Sequence, residues 1–180
     1  MPLRQRLVNE IPKYGNDDAE VDALAAAVCD EFIDRMDRAR SPLGGRYVVH
    51  LFSFLRNLDY GRAVAATPDG RRAGEPLAYS LSAQQGRDRE GVTALLRSIA
   101  RCPHGRAAGA SAAIVEVDPE LVTGPAGVRR MVQLIRSAVQ MGVGQLQWNV
   151  TTAERLIEAQ KDPERYGNLS VRVAGYSQLF

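Results

Sequence analysis

The chain has 180 residues, of which 45% are hydrophobic and 24% charged, the composition of an ordinary folded domain. Its 16 glycines and 9 prolines are too few for a low-complexity linker, so bulk disorder is excluded. Twenty-three basic residues balance 21 acidic ones to a net charge of +2 with the signs interspersed, which excludes a dedicated nucleic-acid surface.

The amino-terminal sequence carries no targeting feature. Residues 1–7 lack the apolar core of a secretion signal, and no apolar run approaches the ~18 residues that span a membrane. We therefore expect a cytoplasmic protein with no membrane contact. Its two cysteines, Cys29 and Cys102, form neither a metal-binding pattern nor a disulfide framework, and a reducing compartment leaves both as thiols.

Apolar residues spaced by three and four predict a first helix over residues 17–40. Ser41 and Pro42 end this pattern, because proline disfavours a continuing helix. Cys29 lies on the apolar stripe, where a thiol packs as a small hydrophobe. The other residues of the predicted buried stripe are Val21, Leu24, Ala25, Val28, Phe32 and Met36.

A strand and a long connection follow the first helix. Residues 46–55 are apolar and rich in strand-forming side chains, which predicts a strand. The run Thr67-Pro68-Asp69-Gly70 predicts a tight turn, because proline and Asp-Gly favour turn conformations. A glycine-rich connection then extends to about Gln85.

The middle of the chain predicts two helices around one buried strand. Residues 91–101 place their leucines and isoleucine on one helical face, and residues 111–117 carry a short β-branched run. Pro125 suits the first turn of a second helix, which continues to Gly142. The predicted apolar stripe of that helix is Val128, Met131, Val132, Ile135 and Val139.

The last segment predicts a strand, a helix and a second strand. Residues 145–150 alternate apolar and polar side chains with the period of two that is typical of a strand. Thr151 and Glu154 fit a capping box that begins a helix ending near Lys161. Residues 169–173 alternate again. This order favours a parallel pair with a right-handed crossover, and the chain as a whole predicts one α/β unit.

The residues alone indicate no particular chemistry. The chain has no HExxH motif, no phosphate-binding glycine loop after a strand, and no Cys or His pair at metal-ligand spacing. His50 in an apolar strand and His104 in a Pro-His-Gly loop are interpreted as structural or surface residues. Cys102 could be exposed at a predicted helix end, but Arg101 alone is weak support for a reactive thiolate.

Six blocks of sequence resemble those of the glycyl radical enzymes, and they follow one another in the same order. The early blocks are Pro12-Lys13-Tyr14-Gly15-Asn16-Asp17, Ala66-Thr67-Pro68-Asp69-Gly70-Arg71-Arg72-Ala73-Gly74-Glu75-Pro76-Leu77 and Gln85-Gly86-Arg87-Asp88. The later blocks are residues 145–150, 159–166 and 171–177. The resemblance therefore covers nearly the whole chain.

The resemblance implies that Gly175, in Arg172-Val173-Ala174-Gly175-Tyr176, is the radical-storing residue. In that family the glycine of this motif loses a hydrogen atom from its α-carbon and keeps the unpaired electron. Glycine suits this role because its α-carbon has no side chain to oppose planarity, so the amide nitrogen and the carbonyl both delocalise the spin. Hydrogen can also leave and return without producing a D-residue.

The family also implies partners that this chain does not contain. A separate activating enzyme, using S-adenosylmethionine and an iron-sulfur cluster, is expected to install the radical on Gly175, and oxygen is expected to cut the backbone there. We expect no bound cofactor or metal. The family's working residue is a cysteine on a loop of the amino-terminal barrel part, which is also expected to supply most of the contacts to a small-molecule substrate. Neither Cys29 nor Cys102 occupies the corresponding motif.

The predicted fold is α/β, the carboxy-terminal portion of a glycyl radical enzyme barrel with a βαβ unit leading into the glycine radical loop. Residues 1–60 are predicted to belong to the barrel and residues 61–180 to a glycine radical domain. Relatives continue beyond the position of Phe180, so this domain is predicted to be truncated. The complete protein is expected to be a homodimer.

Three hypotheses remain for the function of the chain. The leading one is a fragment or separately encoded half of a lyase or dehydratase, because Ala174 and Gly-Glu-Pro-Leu resemble that branch more than pyruvate formate-lyase. On its own such a fragment is expected to be inactive. The second is a non-catalytic spare part that restores the glycine of an oxygen-damaged enzyme. The third is an inert truncated product whose strands expose unpaired edges.

Overall fold

The structure is a computed structural model that describes residues 2–53, 56–173 and 176–179. The helices are α1 (Leu3–Asn9), α2 (Ala19–Arg38), α3 (Arg56–Ala63), α4 (Gly91–Ala100), α5 (Pro119–Val122), α6 (Gly124–Gln140) and α7 (Ala153–Lys161). The strands are β1 (His50–Leu51), β2 (Ala110–Val117), β3 (Gln145–Val150), β4 (Ser170–Val173) and β5 (Tyr176–Leu179). No helix in the described part of the chain is long and apolar enough to cross a membrane.

A parallel sheet in the order β1-β2-β3 forms the centre of the fold. Strand β2 pairs with β3 along six residues, from Ala112 opposite Gln145 to Val117 opposite Val150. Parallel neighbours require long crossovers, and helices α3 to α6 lie in the two connections. The predicted α/β fold class is therefore confirmed.

The hydrophobic core lies between β2 and the helices that pack on it. Ala113, Val115 and Val117 of β2 are buried against side chains of α4, including Leu96 and Ile99. Leu146 and Trp148 extend this core from one face of β3. One face of β3 therefore packs on the core, and its other face carries polar side chains.

The strand predicted over residues 46–55 is reduced to the two residues of β1. Beyond Ser111, the edge of β2 is occupied instead by the long connection, in which Leu81 N donates to Ala112 O at 3.1 Å. Ser82 Oγ continues this pairing by accepting from Ile114 N at 2.9 Å. A loop thus replaces the expected strand. Helix α3, which the sequence pattern did not predict, lies between β1 and this loop.

The parallel crossover predicted for the last two strands is wrong. Strand β4 pairs antiparallel with β5, from Ser170 opposite Leu179 to Val173 opposite Tyr176, in a separate two-stranded sheet. A partner that follows directly in the chain requires only a short loop closure, whereas a parallel partner requires a long crossover. The predicted order of strand, helix and strand is correct.

The capping residue of α7 is Thr152, one position after the predicted Thr151. Thr152 Oγ1 accepts from Arg155 N at 3.2 Å. Thr151 N still donates to Val117 O at 3.2 Å and so continues the sheet, which delays the helix by one residue.

The apolar stripes of α2 and α6 were predicted to be buried, and the structure corrects this. On α2, Leu24, Val28 and Phe32 are exposed, whereas the carboxylate of Asp22 is completely buried. On α6 the small residues Gly127 and Ala138 face inward. We call the two exposed rows the outer stripes: Leu24, Val28 and Phe32 on α2, and Val128, Val132, Ile135 and Val139 on α6.

Candidate functional site

The carboxy-terminal hairpin carries the predicted radical position. Its strands end at Val173 and resume at Tyr176, which oppose each other in the antiparallel register. Gly175 and its neighbour Ala174 connect the two strands in the chain and lie outside the described residues. The structure therefore describes the two strands that flank Gly175 and not the glycine itself.

A compact turn holds the entry to this hairpin. Leu169 is buried, and its amide donates to Tyr166 O at 2.8 Å. The Tyr166 hydroxyl donates to the Glu158 carboxylate on α7, and this bond raises the pKa of Tyr166 above its ordinary value. The Arg165 guanidinium lies 5.5 Å from the centre of the Tyr166 ring. Helix α7 is thus tied to the residues that lead into β4.

Strand β3, which is in contact with β4, presents an unusual buried amide. Gln147 is only 6% exposed, and among the described residues neither its Nε2 nor its Oε1 has a hydrogen-bond partner. Its neighbours Leu146 and Trp148 point to the opposite face, into the core. Burying an unpaired amide costs free energy, so this face of β3 is incomplete in the described part of the chain. The alternation identified Gln147 as polar but not as buried.

The Thr67–Leu77 block folds around a buried guanidinium. The predicted tight turn is confirmed, because Gly70 N donates to Thr67 O at 3.0 Å and Gly70 has a φ of +91°. Arg71 is 2% exposed and donates to five backbone carbonyls, those of Gly61, Val64, Ala65, Arg72 and Glu75. Sequence pattern gave no sign of this role for Arg71, because the carbonyls come from residues on both sides of it.

Helix α3 approaches this loop closely at Gly61. A Cβ on Gly61 would lie 2.4 Å from Glu75 O, so only glycine fits there without a shift of the backbone. Arg71 and Gly61 together fix the path of the long connection beneath α3.

The first forty residues meet α4 through a network of charges. Buried Asp22 accepts from Ser98 Oγ at 2.9 Å and also from Arg101. Asp17 forms ion pairs with Arg97 and Arg101, each at 2.9 Å. The hydrogen bond from Arg97 and the nearby Arg101 charge hold the pKa of Asp17 below its usual value. This contact is polar, in contrast to the apolar core beneath it.

Beside this network lies the thiol cluster, which consists of Tyr14, Cys29 and Cys102. Tyr14 Oη lies 3.4 Å from Cys102 Sγ, and Tyr14 and Cys29 both pack against the core cluster that contains Cys102. Cys29 is half-buried and packs against the main core, as predicted. Cys102 is 5% exposed, so the exposed position considered from sequence is wrong.

The two histidines have the structural or surface positions that were predicted. His104 Nδ1 lies 2.7 Å from Ser111 Oγ, and its Nε2 lies 2.8 Å from Ile99 O, so both ring nitrogens support the fold. His50 is exposed on β1. Within the described ranges, no group of three His, Cys, Asp or Glu side chains is placed to hold a metal ion.

Two family models match the chain. The model described as "Glycine radical" matches residues 77–180, and the model described as "Pyruvate formate lyase-like" matches residues 1–61. The chain belongs to the glycyl radical enzymes. The strands β4 and β5 lie within the glycine radical match, whereas Arg71 lies between the two matched segments.

The relatives are dehydratases and lyases, as the sequence motifs predicted. The chain is 36% identical to the probable dehydratase YbiW of Escherichia coli (strain K12), covering 99% of this chain and 23% of the relative. It is 36% identical to the isethionate sulfite-lyase of Bilophila wadsworthia, covering 98% of this chain and 21% of that protein.

A solved structure confirms the fold. The glycerol-bound B12-independent glycerol dehydratase of Clostridium butyricum has a TM-score of 0.90 and 35% identity, covering 98% of this chain and 22% of that one. The chain thus spans less than a quarter of the length of its relatives and corresponds to the carboxy-terminal part of their barrel.

Proposed function

We propose that this chain is the radical-storing part of a glycyl radical dehydratase or lyase, with the unpaired electron on Gly175. The observation that carries the proposal is the match of residues 77–180 to the glycine radical family, with Arg-Val-Ala-Gly-Tyr at its radical motif. The antiparallel pairing of β4 with β5 supports it, because these two strands are the segments that precede and follow the motif glycine in the chain. We retain residues 1–60 and 61–180 as the proposed division of the chain.

The chemistry at Gly175 is the removal and return of one hydrogen atom. An activating enzyme of the S-adenosylmethionine and iron-sulfur class takes the hydrogen atom from the α-carbon, so one C–H bond breaks and one unpaired electron remains. The amide nitrogen and carbonyl on either side of a flattened glycine delocalise this electron. A cysteine of the amino-terminal part then gives its hydrogen atom to Gly175 and becomes the thiyl radical that attacks substrate.

Neither cysteine of this chain is proposed for that step. Cys29 and Cys102 lie in the thiol cluster, where Cys102 is shielded from solvent by the core. The substrate is proposed to be a small molecule that eliminates a hydroxyl or another leaving group, by analogy with the dehydratases and lyases named above. We propose a cytoplasmic location, because two free thiols suit a reducing compartment.

The surface of the chain supports its role as one part of a larger enzyme. The outer stripes of α2 and α6 expose seven large apolar side chains, and contiguous apolar surface of this kind marks an interaction site. Gln147 adds a buried amide without a partner in the described ranges. We propose that the amino-terminal barrel part covers the outer stripes and completes the face of β3. The 180-residue chain without that amino-terminal part is therefore proposed to be inactive.

Controlled oxygen damage tests the function. The chain is assembled with its amino-terminal part, activated anaerobically and then exposed briefly to air. Mass spectrometry should find the chain truncated at Gly175, because oxygen adds to the glycine radical and breaks the backbone there. Gly175→Ala should abolish the cleavage. Gly167→Ala is the matched control, since an added Cβ there meets no atom closer than 3.5 Å. Cleavage that persists in Gly175→Ala would refute the assignment.

A further inference from the structure

A cleft of about 770 Å³ lies between the loop before α2 and the loop before α4. We call it the basic cleft; its lining residues lie between positions 8 and 18 on one wall and between positions 87 and 97 on the other. Asn16 joins the two walls. Its Nδ2 donates to Lys13 O at 3.0 Å and to Arg87 O at 2.8 Å. Its Oδ1 accepts from Arg89 N at 2.7 Å and from Glu90 N at 3.1 Å, so one side chain holds both loops together.

Three cations of the basic cleft have no carboxylate partner in the described part of the chain. The Arg87 guanidinium forms no ion pair there, and its Nε is shielded from solvent without a hydrogen-bond partner. The Arg89 guanidinium also forms no ion pair with a described residue. The Lys13 ammonium donates to the carbonyls of Leu7 and Ile11, each at 2.6 Å. Shielding a charge without a counter-charge costs free energy, so these cations are placed for an anion that the described residues do not supply.

Two of the three carboxylates that line the basic cleft have other partners. Asp17 forms ion pairs with Arg97 and Arg101, each at 2.9 Å. Asp18 accepts hydrogen bonds from two backbone amides at the start of α2. Glu90 makes no capping hydrogen bond with its side chain at the start of α4. The three unpaired cations therefore face one uncommitted carboxylate, which leaves an excess of two positive charges.

The electrostatic environment of Lys13 agrees with this excess of positive charge. The pKa of its ammonium is lowered, first by burial and then by the positive charge of Arg87, with a smaller effect of Arg89 in the same direction. Asp69 acts in the opposite direction, but its carboxylate accepts a hydrogen bond from Thr67 in the tight turn. Like charges thus lie close together in the cleft, and a bound anion would relieve their repulsion.

We propose that the basic cleft binds a phosphate-bearing small molecule, with the phosphate group held by Lys13, Arg87 and Arg89. A phosphate dianion matches the excess of two positive charges. Its oxygens accept the charge-assisted hydrogen bonds that guanidinium groups donate. The volume of the cleft also leaves room for the organic part of the ligand, because small-molecule sites span roughly 300–1,000 Å³.

The basic cleft is separate from the radical hairpin and lies between the two family-matched parts of the chain. None of its described lining residues belongs to β4 or β5. Lys13 lies in the pyruvate formate lyase-like match, whereas Arg87 and Arg89 lie in the glycine radical match. A bound phosphate would therefore bridge the two parts. Because it would bind the folded chain and not the unfolded one, it should raise the melting temperature by mass action.

Binding of inorganic phosphate at pH 7.5 tests the proposal directly, with sodium chloride at equal ionic strength as the reference. Isothermal titration calorimetry should find one saturable phosphate site per chain. The melting temperature should rise by several degrees when phosphate far exceeds its dissociation constant. Equal melting temperatures in phosphate and in chloride would show that the salts only screen charge, and would overturn the proposal.

Charge-removing variants locate the bound phosphate. Arg87→Gln and Arg89→Gln should each weaken phosphate binding about tenfold or more, because each removes charge-assisted hydrogen bonds. Both variants keep the loops in place, since Asn16 contacts only backbone atoms of these two residues. Arg129→Gln is the control, because it removes an equal charge from an exposed position on α6. Equal phosphate affinities in the three variants would place the anion outside the basic cleft and overturn the proposal.

The same titration on the chain assembled with its amino-terminal part separates a free ligand from an acidic segment of that part. A cleft that serves a small molecule should still bind phosphate in the assembled protein, with the same loss in Arg87→Gln. Phosphate binding that is present in the chain alone and absent after assembly would overturn the proposal, because the amino-terminal part would then fill the cleft.

Discussion

Ser98 donates a 2.9 Å hydrogen bond to Asp22, a carboxylate that is completely shielded from solvent. The same carboxylate accepts from Arg101. A charge buried inside a protein is tolerated only when it is paired, and removal of its partner or of the charge leaves unpaired polar groups behind. This relationship ties α2 to α4 and places the outer stripe of α2 on the exposed side.

Loss of the buried charge should weaken the fold strongly. Asp22→Ala leaves Ser98 Oγ without its acceptor and removes one of the two carboxylates that pair with Arg101, so we expect the free energy of unfolding to fall by about 3 kcal/mol or more. Urea denaturation measures this. Asp30→Ala is the control, because Asp30 pairs with Arg106 at the surface and should cost less than about 1 kcal/mol. Equal losses in the two variants would contradict the burial of Asp22.

The ion pairs of Asp17 predict a loss of stability in acid. Arg97 and Arg101 hold the folded-state pKa of Asp17 below its value of about 3.9 in the unfolded chain. The unfolded chain then binds the proton first, so the stabilisation is complete above about pH 4 and is lost as the pH falls through the folded-state pKa.

The measurement is urea denaturation between pH 6 and pH 3 for the parent chain and for Asp17→Asn. Asparagine suits the comparison because Asp17 has a φ of +57°, which asparagine also tolerates. The difference in stability between the two proteins should shrink as the pH falls. A constant difference over this range would contradict the assignment.

The hydrogen bonds from Arg71 to five backbone carbonyls should be essential for the folded conformation of the long connection. Arg71→Met removes a buried guanidinium and its hydrogen bonds to five backbone carbonyls, so we expect a loss of about 3 kcal/mol or more in the free energy of unfolding. Arg72→Met, at the exposed neighbouring residue, should change stability by less than about 0.5 kcal/mol. Similar losses in the free energy of unfolding for the two variants would show that the hydrogen bonds from Arg71 do not determine the fold.

The buried amide of Gln147 should destabilise the fold when the chain is studied without its amino-terminal barrel part. Gln147→Met keeps the length of the side chain and removes two polar groups that lack partners in the described ranges, so stability should rise by about 1–3 kcal/mol. Gln145→Met, at an exposed position of the same strand, should have little effect. A clear loss of stability in Gln147→Met would show that the amide has a partner within this chain.

Local patterns predicted some elements well and others poorly, for physical reasons. Strand β3 was predicted from Gln145 to Val150 as observed, because alternating side chains report directly on a strand with two different faces. The orientation of α2 could not be predicted, since Leu24 and Phe32 form an apolar row whether it faces this core or a partner.

The candidate sites also differ in how far the sequence alone could predict them. Gly175 was predicted from motifs that follow one another in the same order as in the glycyl radical enzymes. The thiol cluster and the contact of Asp22 with Ser98 depend on residues far apart in the chain, with 88 positions separating Tyr14 from Cys102. Local sequence periodicity does not indicate contacts between residues this far apart, so the structure was needed to find them.

Electron paramagnetic resonance of the anaerobically activated protein, assembled with its amino-terminal part, tests the central claim most directly. A glycine-centred radical should give a doublet, because the unpaired electron couples to the one hydrogen that remains on the α-carbon. The doublet should disappear in Gly175→Ala and persist in Gly167→Ala. A doublet that survives in Gly175→Ala would contradict the assignment of the radical to Gly175.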